Sequence, residues 1–186
     1  MIKTILIAAI SVNGIIAEHV DQVSTDWTSK EDKKFFSQKT KELGIMIVGR
    51  KTFETFGQAL PGRTMVVMSR SPLHIGGVPT PRLGGRVESG GGEGAGRVVW
   101  TDLSPRDLLA NLESKGYSSV ALCGGSQIYS VFLREGCIDE LFLTVEPVIF
   151  GKGVPLIEGA PRVNLQLIEM KPLNEQTILL HYRIKK

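Results

Sequence analysis

Cysteine is nearly absent. Cys123 and Cys137 are the two in 186 residues, and they form no C-x-x-C pair. That excludes a disulfide framework and a structural zinc site, both of which need several cysteines at set spacings. Histidine is almost as scarce: His19, His74 and His181 lie far apart without metal-ligand spacing, so no metal is expected. Long apolar runs are missing too, and nothing approaches the ~20 residues of a membrane span. The one targeting candidate is residues 5–10 behind Lys3. It holds six apolar residues before Ser11, Asn13 and Gly14 interrupt it, which is short for a signal segment, so it reads as a buried first strand. Neither sign of charge dominates: 22 Lys+Arg stand against 19 Asp+Glu, a net +3. A dedicated nucleic-acid binder would carry a dominant basic patch. The expectation is a cytoplasmic protein with neither nucleic acid nor membrane as partner.

What is present is an ordinary globular balance, with 42% hydrophobic and 22% charged residues. A chain of this length buries about 70% of its extended surface, enough for one core without staples. Short apolar runs recur at residues 5–10, 45–48, 65–68, 98–100, 120–123, 141–145 and 178–182. Most are apolar on both faces, as in strands covered on both sides of a mainly parallel sheet. Helical patterns lie between them at 29–43, 51–56, 104–115 and 126–134. Ser104-Pro105 has the signature of an N-cap followed by Pro at the first helical position. Alternating strands and helices predict an α/β domain. The last third turns to strand, loop, strand, which predicts a C-terminal antiparallel strand on a mixed sheet. Residues 84–96 read GGRVESGGGEGAG, with seven glycines in thirteen positions. Residues 1–186 thus form a single domain with a Gly-rich loop insertion at about 71–97.

Several constellations carry chemistry. Ser29 can cap a helix that places Asp32, Phe35 and Phe36 at i, i+3 and i+4, on one face. A carboxylate beside two rings is costly if dry and unpaired, and a ligand edge with two N–H donors would satisfy it bidentately. Spacing leaves the capping-box reading open beside it. Val48-Gly49-Arg50-Lys51-Thr52 runs from a strand into a helix start bearing two cations, an arrangement that opposes the helix dipole unless an anion sits there. Met68-Ser69-Arg70 places another cation past a strand end, where open α/β sheets bind ligands. Gly124-Gly125 at a strand-to-helix turn, followed by Ser126-Gln127-Ile128-Tyr129, allows close backbone approach to a phosphate. It falls short of a G-x-G-x-x-G fingerprint. Arg50 and Arg70 suit a 2′-phosphate, hence NADP over NAD. Leu60-Pro61-Gly62-Arg63 reads locally as a turn with an exposed Arg.

Taken in order, these segments resemble the dihydrofolate reductase family over nearly the whole chain outside 71–97. The carriers are Ile7-Ala8-Ala9, Asn13-Gly14-Ile15-Ile16, Trp27 with Asp32 and Phe36, and residues 48–56. Leu60-Pro61-Gly62-Arg63, Ser69-Arg70, residues 124–129 and Leu143-Thr144 complete the set. The resemblance implies that fold, the cofactor NADPH, and reduction of dihydrofolate to tetrahydrofolate for one-carbon metabolism. Antifolates would be inhibitors and the state a monomer or homodimer. By the same resemblance Asp32, with Trp27 and Thr144, is the catalytic group. Ile7, Phe36, Phe56 and Leu60 line the folate, and Arg63 takes its glutamate α-carboxylate. Ala9 and Ile16 line the nicotinamide, and Gly49, Arg50, Lys51, Thr52, Ser69 and Arg70 hold the adenosine phosphates. Gly124, Gly125, Ser126, Gln127, Ile128 and Tyr129 face the cofactor, with the Gly–Gly peptide cis.

Two features depart from that pattern. Lys33 stands where an apolar pocket residue is expected. The stretch 136–156, with Glu146-Pro147 and Gly151-Lys152-Gly153, resembles the riboflavin-pathway pyrimidine reductases that share the fold. Two alternatives therefore accompany the folate reading. One is an NADPH-dependent reductase of a ribosylaminopyrimidine 5′-phosphate, with Lys33 or Lys34 taking the phosphate. The other is a non-catalytic nucleotide-binding domain.

Overall fold

The computed structural model describes residues 1–70, 74–75, 78–79 and 96–185. The expected Gly-rich loop at 84–96 therefore lies almost wholly outside the described residues. In chain order the elements are β1 (Lys3–Ser11), β2 (Ile15–Ala17), α1 (Lys30–Leu43), β3 (Ile45–Gly49), α2 (Arg50–Phe56), β4 (Thr64–Met68), β5 (His74–Ile75), β6 (Val78–Pro79), β7 (Arg97–Thr101), α3 (Pro105–Ser114), β8 (Ser119–Leu122), α4 (Ser126–Arg134), β9 (Glu140–Glu146), β10 (Val154–Pro155), β11 (Leu165–Pro172) and β12 (Ile178–Ile184).

Eight strands form one sheet in the order β11-β12-β9-β1-β8-β3-β4-β7. From β9 to β7 every pairing is parallel, whereas β12 runs antiparallel to β9 and β11 antiparallel to β12. This is the mixed, mainly parallel α/β sheet that the apolar runs predict. The C-terminal antiparallel strand is β12, but a second one, β11, extends the edge. Its residues are all exposed and Gln166, Glu169 and Lys171 interrupt the apolar pattern, so no continuous run marks it.

Strand alternation divides the core in two. One face carries Ile5, Ile7, Met46, Val48, Met65 and Val67, against Phe35 and Phe36 of α1 and Phe53 and Phe56 of α2. The other carries Leu6, Ile45, Ile47, Val66, Leu141 and Leu143, against Leu108 and Leu112 of α3 and Phe132 and Leu133 of α4. The helices start where local chemistry says they should. Ser29 Oγ accepts from Asp32 N at 3.2 Å, and Ser104 Oγ accepts from Asp107 N at 3.2 Å. Gly44, at φ 70°, closes α1 in the left-handed conformation that glycine adopts without penalty. Among the described residues no helix is long and apolar enough to cross a membrane.

Candidate active site

Successive parallel strands here send their helices to opposite faces. After β3 the chain enters α2 on the first face; after the adjacent β8 it enters α4 on the second. Such a switch point opens a crevice at the carboxyl ends of the strands. The Gly49 N–H donates to Gly124 O at 2.7 Å, tying the two strand ends together, and the Gly124–Gly125 peptide is cis. Glycine is required here by close approach. A Cβ on Gly49 would lie 2.9 Å from Ile128 Cγ1, and one on Gly125 would lie 3.2 Å from Thr52 Oγ1. Gly124 has φ 108°, and its missing Cβ leaves room for the Tyr129 hydroxyl, which donates to Ile7 O at 2.8 Å. At the start of α4 the Ser126 hydroxyl is buried with no partner among the described residues, while Gln127 is exposed. A buried orphan hydroxyl beside backbone stripped of side chains fits a phosphate-bearing cofactor.

The expected cations lie around this crevice. Arg50, Lys51 and Arg70 are exposed, and Arg50 Nη1 pairs with Glu54 Oε1 at 3.0 Å within α2. Ser69 N donates to Thr101 O at 2.9 Å, fixing the end of β4. Ala9, opposite Thr144 in the sheet, and Ile16 on β2 are half-buried. Pairing of β2 with β10 holds Ile16 near the strand ends.

Asp32 lies beyond the crevice, on the face of α1 toward β9. Its carboxylate is buried and accepts from the hydroxyls of Thr144 and Thr28. Burial pushes its proton affinity above the ordinary carboxylate range; the Thr144 hydrogen bond opposes this, and the nearby Glu146 charge adds to it. The capping in this turn comes from Ser29, and the Asp32 side chain points to the sheet instead. Trp27 lies beside it, edge-on to Phe150 at 5.2 Å, with its indole nitrogen buried and unpartnered among the described residues. Phe36 stacks on Phe56 at 6.4 Å, and both pack with Leu60 against the first core. Ile7 is buried beneath them.

Arg63 is not the exposed turn residue that its local sequence predicts. It is 7% exposed, with Nη1 donating to Thr40 Oγ1 at 2.6 Å and Nε to Pro61 O at 3.2 Å. Thr40 in turn donates to Phe36 O at 2.7 Å, so Arg63 braces the α1 turn that carries Phe36. Lys33 and Lys34 face solvent.

Glu146 is the residue the sequence reading missed. It is buried, and its Oε1 accepts from Ser29 N at 2.9 Å and Ser29 Oγ at 2.8 Å, while Oε2 accepts from Thr177 Oγ1 at 3.0 Å. It clamps the start of α1 to the start of β12, beside a cavity of about 270 Å³ lined by Trp27, Thr28, Asn174 and Thr177. Its signal was available in strand alternation: Glu146 stands two residues after Thr144 and shares its face.

Residues 3–179 match the family model described as RibD C-terminal domain. The uncharacterized protein YwjB of Bacillus subtilis is 28% identical over 189 residues, covering 97% of each chain. Among solved structures, a diaminohydroxyphosphoribosylaminopyrimidine deaminase/5-amino-6-(5-phosphoribosylamino)uracil reductase from Thermotoga maritima superposes with a TM-score of 0.76 at 19% identity, covering 99% of this chain and 57% of the other. Dihydrofolate reductase from Enterococcus faecalis, solved with NADP(H), gives a TM-score of 0.68 at 19% identity, covering 99% and 97%. The fold is therefore dihydrofolate reductase-like.

Proposed function

We propose that this chain, which belongs to the RibD C-terminal domain family, is an NADPH-dependent reductase of a ribosylaminopyrimidine phosphate. This reading takes the place of the folate expectation. The family match covers nearly the whole chain, and Arg63 supports the change: its guanidinium is engaged by Thr40 and Pro61 inside the protein. The observation that carries a reductase reading at all is Asp32, a buried carboxylate beside Thr144 of β9 with no cation at ion-pair distance among the described residues.

NADPH, when bound, supplies the hydride. Thr52, Ser126 and the bare backbone at Gly49, Gly124 and Gly125 would hold its diphosphate, with Arg50 and Arg70 placed for the 2′-phosphate. Asp32 would accept the N–H donors of the pyrimidine edge, with Thr144 and Thr28 fixing the carboxylate's orientation. Reduction would place the hydride on the carbon of the C=N bond of the ring-opened ribosylamine and a proton from solvent on its nitrogen. The Asp32 charge favours that protonation.

The test is NADPH oxidation with the ribosylaminopyrimidine phosphate and with dihydrofolate, side by side. Faster turnover of the pyrimidine, with a product that has gained two hydrogens, is expected. Preference for dihydrofolate would restore the folate reading, and oxidation with neither would favour the non-catalytic alternative.

A further inference from the structure

The turn between β11 and β12 grips the first turn of α1 at two points. Asn174 Oδ1 accepts from Gln176 N and Thr177 N, both at 2.8 Å, and Thr177 O accepts from Leu173 N at 2.8 Å. These bonds close the turn on itself, as asparagine side chains do in Asx turns. Two of its side chains reach beyond it. Asn174 Nδ2 donates to Glu31 Oε2 at 2.9 Å, across 143 positions of sequence. Thr177, 1% exposed, donates from Oγ1 to Glu146 Oε2 at 3.0 Å.

The second grip continues to Asp32. Glu146 Oε1 accepts from Ser29 Oγ at 2.8 Å and from Ser29 N at 2.9 Å, and Ser29 Oγ accepts from Asp32 N at 3.2 Å. Each bond in this chain has one allowed direction. An ionised carboxylate offers no proton, so the Thr177 and Ser29 hydroxyls both donate to Glu146. A hydroxyl carries one proton, so Ser29 has only lone pairs left for the Asp32 N–H. A buried carboxylate without a cation is a costly way to join two elements, and apolar contacts would join them more cheaply. What it adds is direction, which apolar contacts lack.

We propose, on the reading that Asp32 receives the pyrimidine edge, that Thr177 and Asn174 are positioning residues. Thr177 sets the place of the Asp32 carboxylate through Glu146 and Ser29, and Asn174 does so through Glu31. Ser29 caps the helix turn and Glu31 adjoins Asp32 in it, so both grips act on the turn that carries the carboxylate.

Thr177→Val keeps the shape of a buried β-branched side chain and removes the hydroxyl. It should lower kcat/KM for the ribosylaminopyrimidine phosphate roughly 10- to 100-fold, the scale of a misplaced group at the site, and leave the KM for NADPH unchanged. Thr177→Ser restores the donor and should recover kcat/KM to within about threefold of wild type. Asn174→Asp keeps the acceptor for Gln176 N and Thr177 N but cannot donate to Glu31, and should lower the same constant about 3- to 10-fold. Glu175→Gln, exposed in the same turn, should change nothing. Amide exchange read by NMR tests the placement without turnover: the Asp32 N–H should exchange faster in Thr177→Val than in wild type. Circular dichroism checks folding, and Asn174→Asp carries both measurements if Thr177→Val is unfolded. Wild-type kcat/KM in folded Thr177→Val overturns the proposal. So does an equal loss in the NADPH constant, or a Thr177→Ser variant that recovers nothing. If the wild type does not reduce the pyrimidine phosphate, the functional reading fails by itself. Asp32 exchange then decides the positioning role, and a wild-type rate in the variants overturns it.

Discussion

The two ends of β9 hold buried carboxylates on one face of the sheet, and they are treated in opposite ways. At the start of the strand, Glu140 is ringed by the cations Lys3, with Nζ at 3.1 Å, and Arg183, with Nη2 at 3.5 Å, and by the His181 ring, with Nε2 at 3.1 Å. Burial pushes its proton affinity up, but the hydrogen bonds and charges of Lys3 and His181 outweigh it and hold Glu140 below the ordinary range. At the far end, Glu146 and the adjacent Asp32 have no cation at ion-pair distance among the described residues, and Asp32 is shifted upward. A carboxylate satisfied by protein cations serves the fold. One without a cation beside it, next to a second acid, keeps its charge available to a ligand at a cost to stability.

The sharpest way to break this contrast is Asp32→Asn. Loss of a positioned acid–base group should lower kcat/KM by ~10²–10⁴. Stability should move the other way. A raised folded-state pKa means the favourable contribution is complete below the ordinary carboxylate pKa and is lost as pH rises through the folded value. Asp32→Asn should therefore melt higher than wild type at neutral pH, with the gap closing in acid. A lower Tm at pH 8 would show that Asp32 is structural.

Glu140→Gln tests the opposite end. Its lowered pKa contributes stability above the unfolded pKa that is lost as pH falls through the folded value. The variant should lose about 1–3 kcal/mol at neutral pH, less than a fully buried pair because Lys3 and Arg183 are half exposed. Tm should fall roughly 2–10 °C at this chain length, with turnover unchanged. Equal melting of variant and wild type at pH 7 would remove the contrast. The smallest effect belongs to Glu146→Gln, whose amide can keep the Ser29 contact. With the neighbouring charge gone, the pH–rate limb governed by Asp32 should move to lower pH while kcat at its plateau changes less than about tenfold. An unmoved limb would mean that Glu146 acts only as a clamp.

Much of this arrangement can be read from the chain itself. The parallel strands announce themselves because both their faces are buried, which leaves runs such as residues 45–48 and 65–68 without polar interruption. Ser29 and Ser104 announce helix starts because capping is a local interaction. What escapes is tertiary. The partner that buries Arg63 is Thr40, 23 residues upstream, while its own neighbours Pro61 and Gly62 describe an ordinary exposed turn. Glu146 finds Ser29 117 residues away and Thr177 31 away; strand alternation puts it on the face of Thr144, but neither partner lies beside it in sequence. The edge strand β11 lacks a covered face, so its apolar residues alternate with charge and never form a run. The two substrate readings are hard to separate for a related reason: Gly49 to Thr52 and Gly124 to Tyr129 border the crevice at the strand ends, which the folate and pyrimidine readings both assign to the cofactor.

The alternation of β9 and β12 has a consequence for how this chain can change over time. Along β9, residues 140, 142, 144 and 146 serve one side of the sheet and 141, 143 and 145 the other; β12 divides in the same way. Point substitutions can therefore adjust the chemistry on one track while leaving the other untouched, and the two can drift separately. Length changes have no such freedom. Losing a single residue inside β9 would turn Val145 toward Asp32 and Thr144 toward α4, exchanging every side chain beyond the deletion. Descendants of this sequence should accumulate replacements in these strands freely and place their insertions and deletions in the connections between them.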